Sequence, residues 1–254
     1  MSWEFDSKTE MYNLLVGKHY GANPENISAN IDQDRVKIGK AISSYLQLKS
    51  TDHVLEIGSG SGDMAARLAP QLERLYCADI SLSFLEIAQK KCEKWSHVSF
   101  HHLQSFDLDF IEPGTLDAIY SHAVFIHLNL YDFYWYFKIF SAVLKENGLI
   151  YIDFLSSKNL NLTADSYFSE HAGYYRSSKN SLSSLLSFHN PQAIIDLAQH
   201  FNLQLEVSWS SKSGTVGLIL RKLESPYFLT LIYNRLRTLI YLIKLRITRR
   251  FFSR

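Results

Sequence analysis

The chain has 254 residues, 46% hydrophobic and 14% aromatic, so a globular protein with one substantial core, or a core and a small appendage, is expected. Its net charge of +1 hides an asymmetry: residues 226 to 254 hold seven Lys or Arg and no acid, which leaves residues 1 to 225 at −6. A mildly acidic body argues against broad nucleic-acid binding, and the basic tail poses a separate question.

The first residues, Met1 to Asn13, are polar and mixed in charge. They lack the basic and apolar stretches of a secretory signal, so a cytoplasmic protein is expected. Cys77 and Cys92 are the only cysteines and fall in a strand-like and a helix-like segment, which sets up neither a disulfide framework nor a Cys-rich metal site.

From about residue 53 short apolar runs alternate with helical patterns, the mark of βαβ units and a parallel sheet. Strands are predicted over His53 to Ile57, Arg74 to Ala78, Val98 to Leu103, Asp117 to Ser121 and Leu149 to Phe154. Helices are predicted over Asp63 to Leu72, Ser83 to Cys92 and Leu130 to Leu144. A Ser-, Asn- and Tyr-rich stretch follows to about Asn190 and is long for a plain connection. Pro191 then opens a helix over Gln192 to Phe201, and Leu203 to Ser208 and Thr215 to Lys222 read as an antiparallel hairpin turned at Gly214.

The segment Glu56-Ile57-Gly58-Ser59-Gly60-Ser61-Gly62-Asp63 ends a strand and opens a helix, where glycine lets backbone approach a ligand closely. In an open parallel sheet such a loop sits at the carboxyl ends of the strands, in the crevice where strand order reverses. A dinucleotide fingerprint would place its third glycine at Asp63. An acid facing a phosphate there adds repulsion, whereas a ligand carrying an ammonium is stabilised by nearby acids. A nicotinamide-dependent oxidoreductase is thereby disfavoured.

On these residues the sequence resembles the class I S-adenosylmethionine-dependent methyltransferases over roughly residues 35 to 155, and more weakly over 190 to 222. The resemblance implies a doubly wound, mostly parallel seven-stranded α/β sheet of the Rossmann-like methyltransferase type, with S-adenosylmethionine as cofactor. Glu56 matches the first motif's acid, which helps organise the methionine end of the cofactor, with Gly58, Ser59, Gly60 and Gly62 forming the loop. Asp79, at the end of the second strand with Ile80 beside it, matches the acid that takes both ribose hydroxyls, a task suited to the paired acceptors of a carboxylate. Where the family commonly has an aspartate for the adenine amino group, this chain has Gln104 or Ser105, followed by Phe106. Leu116 to His122, with Ser121 among the cofactor contacts, resembles the fourth-strand motif, and Leu144 to Ile150 the turn into the fifth.

A hydroxyl acceptor needs a base, and histidine is suited to that near neutral pH. His122, directly after the fourth strand, and His127, five residues later, are the candidates. His19-Tyr20 and Tyr174-Tyr175-Arg176 are candidates to line an acceptor pocket. No metal is expected: His101 and His102 are adjacent on a strand and face opposite ways.

Three regions follow: a cap segment over 1–34, the methyltransferase domain over 35–223 with a lid insertion near 155–190, and a basic tail over 224–254. In the tail Leu229, Ile232, Tyr233, Leu236, Ile240, Ile243, Ile247 and Phe251 recur mostly at steps of three and four, flanked by Arg235, Arg237, Lys244, Arg246 and Arg250. That pattern predicts an amphipathic helix whose cations snorkel beside an apolar stripe, suited to the inner face of an anionic membrane. The expected reaction is methyl transfer to oxygen, less readily nitrogen, of a small or lipid-linked acceptor. The alternative is a cofactor-binding protein without catalysis that meets a membrane or partner through the tail.

Overall fold

The computed structural model describes residues 24–159, 186–211 and 214–224, with side chains from Arg35 in its first helix. The chain divides into two compact units, Met1–Lys222 and Leu223–Arg254. The His19 and Tyr174 segments and the basic tail lie outside the described residues.

The elements in chain order are α1 (Pro24–Tyr45), β1 (His53–Ile57), α2 (Asp63–Leu68), β2 (Arg74–Asp79), α3 (Leu82–Lys91), β3 (Val98–His102), β4 (Leu116–Ser121), α4 (Leu130–Val143), β5 (Leu144–Ser156), β6 (Phe188–His189), α5 (Pro191–His200), β7 (Leu203–Ser210) and β8 (Thr215–Lys222). The strands form one sheet in the order β3-β2-β1-β4-β5-β8-β7, with the two-residue β6 added beside β5. Pairing is parallel from β3 to β5, while β8 runs antiparallel to both β5 and β7. The order reverses between β1 and β4, which opens a crevice beyond their carboxyl ends.

Local chemistry accounts for the boundaries. Asn129 and Asp132 form a reciprocal capping box that starts α4, while Ser81 caps α3 and Asn190 caps α5 ahead of Pro191 at its first turn. The helix expected from Asp63 to Leu72 stops at Leu68 and tightens into a 3-10 turn over Ala69–Gln71. Pro70 cannot donate the next helical hydrogen bond, and its ring crowds the preceding turn. The fifth strand is longer than expected because the chain joins the sheet at Leu144, directly after α4, and its pairing with β4 then shifts from Leu116↔Leu144 to Ala118↔Leu149. Asn147 takes a left-handed φ of 64° within that irregularity. Helix α1 was not expected, although Ile38, Ile42 and Leu46 recur at steps of four.

The sheet is covered on both faces. On one side Phe125, Phe133, Phe137 and Phe140 pack with Phe154, Ile194 and Leu218. On the other, Ile42 from α1, Leu46 just after it, and Met64 and Leu68 from α2 pack on Leu75, Tyr120, Tyr151 and Ile219. Trp209 of β7 stacks on Tyr45 with ring centroids 4.6 Å apart. Gly217 makes room for it, since a Cβ there would lie 2.2 Å from the indole.

Candidate active site

The three loop glycines all have left-handed φ: 75° at Gly58, 52° at Gly60 and 77° at Gly62. Their surroundings differ. A Cβ on Gly58 would lie 2.1 Å from Val124 Cγ2, and one on Gly62 would lie 2.8 Å from the Cα of Ala88 in α3. Both are packing glycines. A Cβ on Gly60 meets nothing within 4 Å, so this is the loop position that faces open space. The neighbouring Ser59 is buried, and its hydroxyl has no hydrogen-bond partner among the described residues.

Asp79 is buried at the tip of β2 and ties the loop to the next connection. Its Oδ2 accepts from the Gly60 N–H and its Oδ1 from the Ser81 N–H, each at 2.8 Å. Burial raises the carboxyl above its ordinary value, opposed by the N–H groups of Ser81, Gly60 and Ile80. His102 reaches the same corner, with Nε2 3.0 Å from the Ile80 carbonyl.

Glu56 lies within the sheet, level with Cys77 on one side and Tyr120 on the other. Burial pushes its carboxyl up to about 8, against the Tyr120 hydroxyl and the Arg35 cation, which favour the charged form. The Tyr120 hydroxyl is near enough for that influence but, among the described residues, has no partner in good hydrogen-bond geometry. Asp63 is arranged differently from the expectation of an acid that awaits a cationic ligand. Its carboxylate pairs with Lys91 Nζ at 2.5 Å and accepts from the Ser61 hydroxyl at 2.6 Å. Burial works against its charge, but Lys91 and Ser61 outweigh it and hold the group below the ordinary carboxylate range.

At the β3 tip, Gln104 and Ser105 are exposed, and the Ser105 hydroxyl donates to Asp107 at 2.7 Å. Phe106 is half-buried against the edge of Tyr136, with centroids 5.2 Å apart. Ser121 is fully buried, and its hydroxyl donates across the sheet to the Ile57 carbonyl at 2.9 Å. That donor joins β4 to β1 and is not offered to the crevice.

His122 has partners that the sequence reading did not single out. Its Nδ1 stands 2.5 Å from Asp153 Oδ2, and Tyr151 Oη lies 3.3 Å from the same nitrogen. Asp153 is buried on β5, and its Oδ1 accepts from the Ala123 N–H at 2.7 Å. Ala123 has a left-handed φ of 59°, uncommon for a residue with a Cβ. The signal for Asp153 was an acid inside an apolar strand, which needs partners to be buried. His127 is half-buried in the turn after β4, where its N–H donates to the Val124 carbonyl at 3.0 Å. His101 stacks on Phe110 at 3.7 Å. Both cysteines are buried and free. Among the described residues no cluster suits a metal ion, and no helix is long and apolar enough to cross a membrane.

Residues 54–148 match the family model described as methyltransferase domain. No curated protein matches the chain. Among solved structures, geranyl diphosphate C-methyltransferase from Streptomyces coelicolor A3(2) is similar with a TM-score of 0.64 and 10% identity, covering 83% of this chain and 87% of that one. Magnesium protoporphyrin IX methyltransferase from Synechocystis PCC 6803, with bound S-adenosylhomocysteine, has a TM-score of 0.61 and 15% identity, covering 86% of this chain and 96% of that one. At these identities the likeness shows a common fold. The matched stretch carries the glycine loop, Asp79 and β4 on that fold, so residues 54–148 are similar to a methyltransferase domain, and the fold is one whose solved examples bind S-adenosylmethionine or its product.

Proposed function

We propose that the chain transfers a methyl group from S-adenosylmethionine to a hydroxyl of a small or lipid-linked acceptor, with His122 as general base. The observation that carries this reading is the placement of His122 at the tip of β4, beside the strand-order reversal and held by a buried acid. The crevice also fits the cofactor. Gly60 leaves space where its Cβ would be, and the buried Ser59 hydroxyl has no mate among the described residues.

In this reading Asp79 takes the ribose hydroxyls, using acceptor capacity beyond its two backbone bonds. Ile80, Gln104, Ser105 and Phe106 border the adenine. Glu56 and Gly58 to Gly62 hold the methionine end. When bound, S-adenosylmethionine supplies a methyl on a sulfonium sulfur, which leaves as a neutral thioether. The acceptor oxygen then needs only alignment and removal of its proton. His122 would accept that proton as the acceptor oxygen takes up the methyl. His127, in the turn behind β4, is the second candidate for this role.

The tail supports a lipid-linked acceptor: its apolar stripe flanked by cations suits an anionic membrane surface. Methyl-labelled cofactor incubated with fractionated cell extract and with hydroxylated acceptors tests the reaction. Label should appear in an alkali-stable ether with wild-type protein and fall at least about a hundredfold with His122→Gln, as loss of a general base predicts. Label on carbon or nitrogen, or full activity in His122→Gln, would overturn the proposal. Equal partition into anionic vesicles by the full chain and by a chain ending at Leu223 would remove the membrane from it.

A further inference from the structure

The geometry points to Asp153 as a positioning residue that selects the tautomer of His122, and to Ala123 as the latch that keeps Asp153 from serving either way round. This rests on the reading of His122 as the base. An ionised carboxylate only accepts, so the Asp153 oxygen 2.5 Å from Nδ1 requires the proton on Nδ1 and leaves Nε2 as the basic nitrogen. The second oxygen is committed as well, because it accepts the Ala123 N–H at 2.7 Å.

Backbone geometry makes that commitment specific. Ala123 follows His122 directly and turns through a left-handed φ of 59°. The same carboxylate therefore grips both the imidazole and the turn that carries it. The surroundings favour the arrangement: the Asp153 side chain is 5% exposed and that of His122 20%, while the Tyr151 hydroxyl donates to Asp153 Oδ2 at 3.4 Å. Among the described residues Asp153 is the charged partner of His122, with Tyr151 as the neutral third member. During turnover the proton taken at Nε2 makes an imidazolium that the Asp153 charge stabilises, and Asp153 itself keeps no proton.

An asparagine at 153 has one acceptor oxygen. The Ala123 N–H claims it, which turns the amide NH2 toward Nδ1 and forces the His122 proton onto Nε2. The full chain, labelled with nitrogen-15 at histidine, is observed by long-range nitrogen–proton correlation, with His122→Gln used to assign the ring. Wild type should show the Nδ1–H form, Asp153→Asn should reverse the tautomer ratio by at least about tenfold, and Tyr151→Phe should leave it unchanged. Calorimetry with S-adenosylhomocysteine should give the same affinity in all three, since none of these residues is assigned to the cofactor. An Nε2–H ring in wild type, or an unchanged ring in a folded Asp153→Asn that binds S-adenosylhomocysteine, overturns the inference. Because no acceptor is present, this outcome is independent of whether His122→Gln loses methyl transfer, which tests the role of His122 itself.

Discussion

Replacing Asp79 with alanine should separate the cofactor site from the rest of the fold. The carboxylate has two duties: it accepts from Gly60 and Ser81 at 2.8 Å each, and in the proposed complex it also accepts from a ribose. A hydrogen bond to a charged group is worth about 1.5–3 kcal/mol, so losing one ribose contact weakens binding by at least about tenfold and losing two by at least about two orders of magnitude. The loop also loses its tie to β2, which adds to the penalty because Gly60 would have to be ordered anew. Asparagine tests the same geometry more finely. It has a single acceptor oxygen, so one of the two backbone N–H groups must face an amide donor, and Asp79→Asn should bind little better than Asp79→Ala. Titration calorimetry with S-adenosylhomocysteine gives the affinities, and circular dichroism confirms folding. Unchanged affinity in a folded Asp79→Ala would remove Asp79 from the site.

The loop glycines should divide in the same assays. Gly60→Ala pays about 1–2 kcal/mol for the left-handed backbone, meets no neighbour and should fold yet bind S-adenosylhomocysteine at least about tenfold more weakly. Gly58→Ala and Gly62→Ala collide with Val124 and with the backbone of α3 and should lower Tm markedly; a stable Gly62→Ala would contradict the packing described here. Glu56 predicts a pH dependence. Its folded value of about 8 lies above the ordinary 4.5, so the folded state holds the proton more tightly and stability is lost as pH rises from about 4.5 to 8. Glu56→Gln should therefore gain in Tm over wild type across that window and level off above it; a constant difference would refute the burial-driven shift. If the cofactor's ammonium ionises Glu56, binding S-adenosylhomocysteine near pH 7 should release a proton, seen as buffer-dependent enthalpy that Glu56→Gln abolishes.

Much of the sheet was legible because its strands are short apolar runs punctuated by Gly, Pro, Asn and Asp. His53–Ile57 and Thr215–Lys222 have the expected bounds, and the hairpin at Gly214 pairs as expected. Helix α1 was hidden by its polar first half, Pro24 to Arg35, ahead of the periodic Ile38, Ile42 and Leu46. The loop and its acids could be found from residue type and spacing, but what each does depends on neighbours far along the chain. Asp63 answers to Lys91, Ser121 to Ile57, and Gly62 to Ala88. His122 was visible from its position, whereas Asp153, thirty-one residues on, meets it only because β4 and β5 run side by side.

The antiparallel insertion of β8 has a consequence for synthesis. Strand β5 is apolar from Leu149 to Leu155 except for Asp153, with all of those residues buried. One of its edges is covered by β8, whose residues Thr215 to Arg221 pair with Leu155 to Leu149. Until those later residues have left the ribosome, that edge presents a row of unpaired backbone groups on a hydrophobic strand, the kind of surface that recruits other chains. Expression trials that stop the chain before Thr215 should thus yield aggregates, while the interval between translating β5 and β8 is when the nascent protein most needs a holdase chaperone.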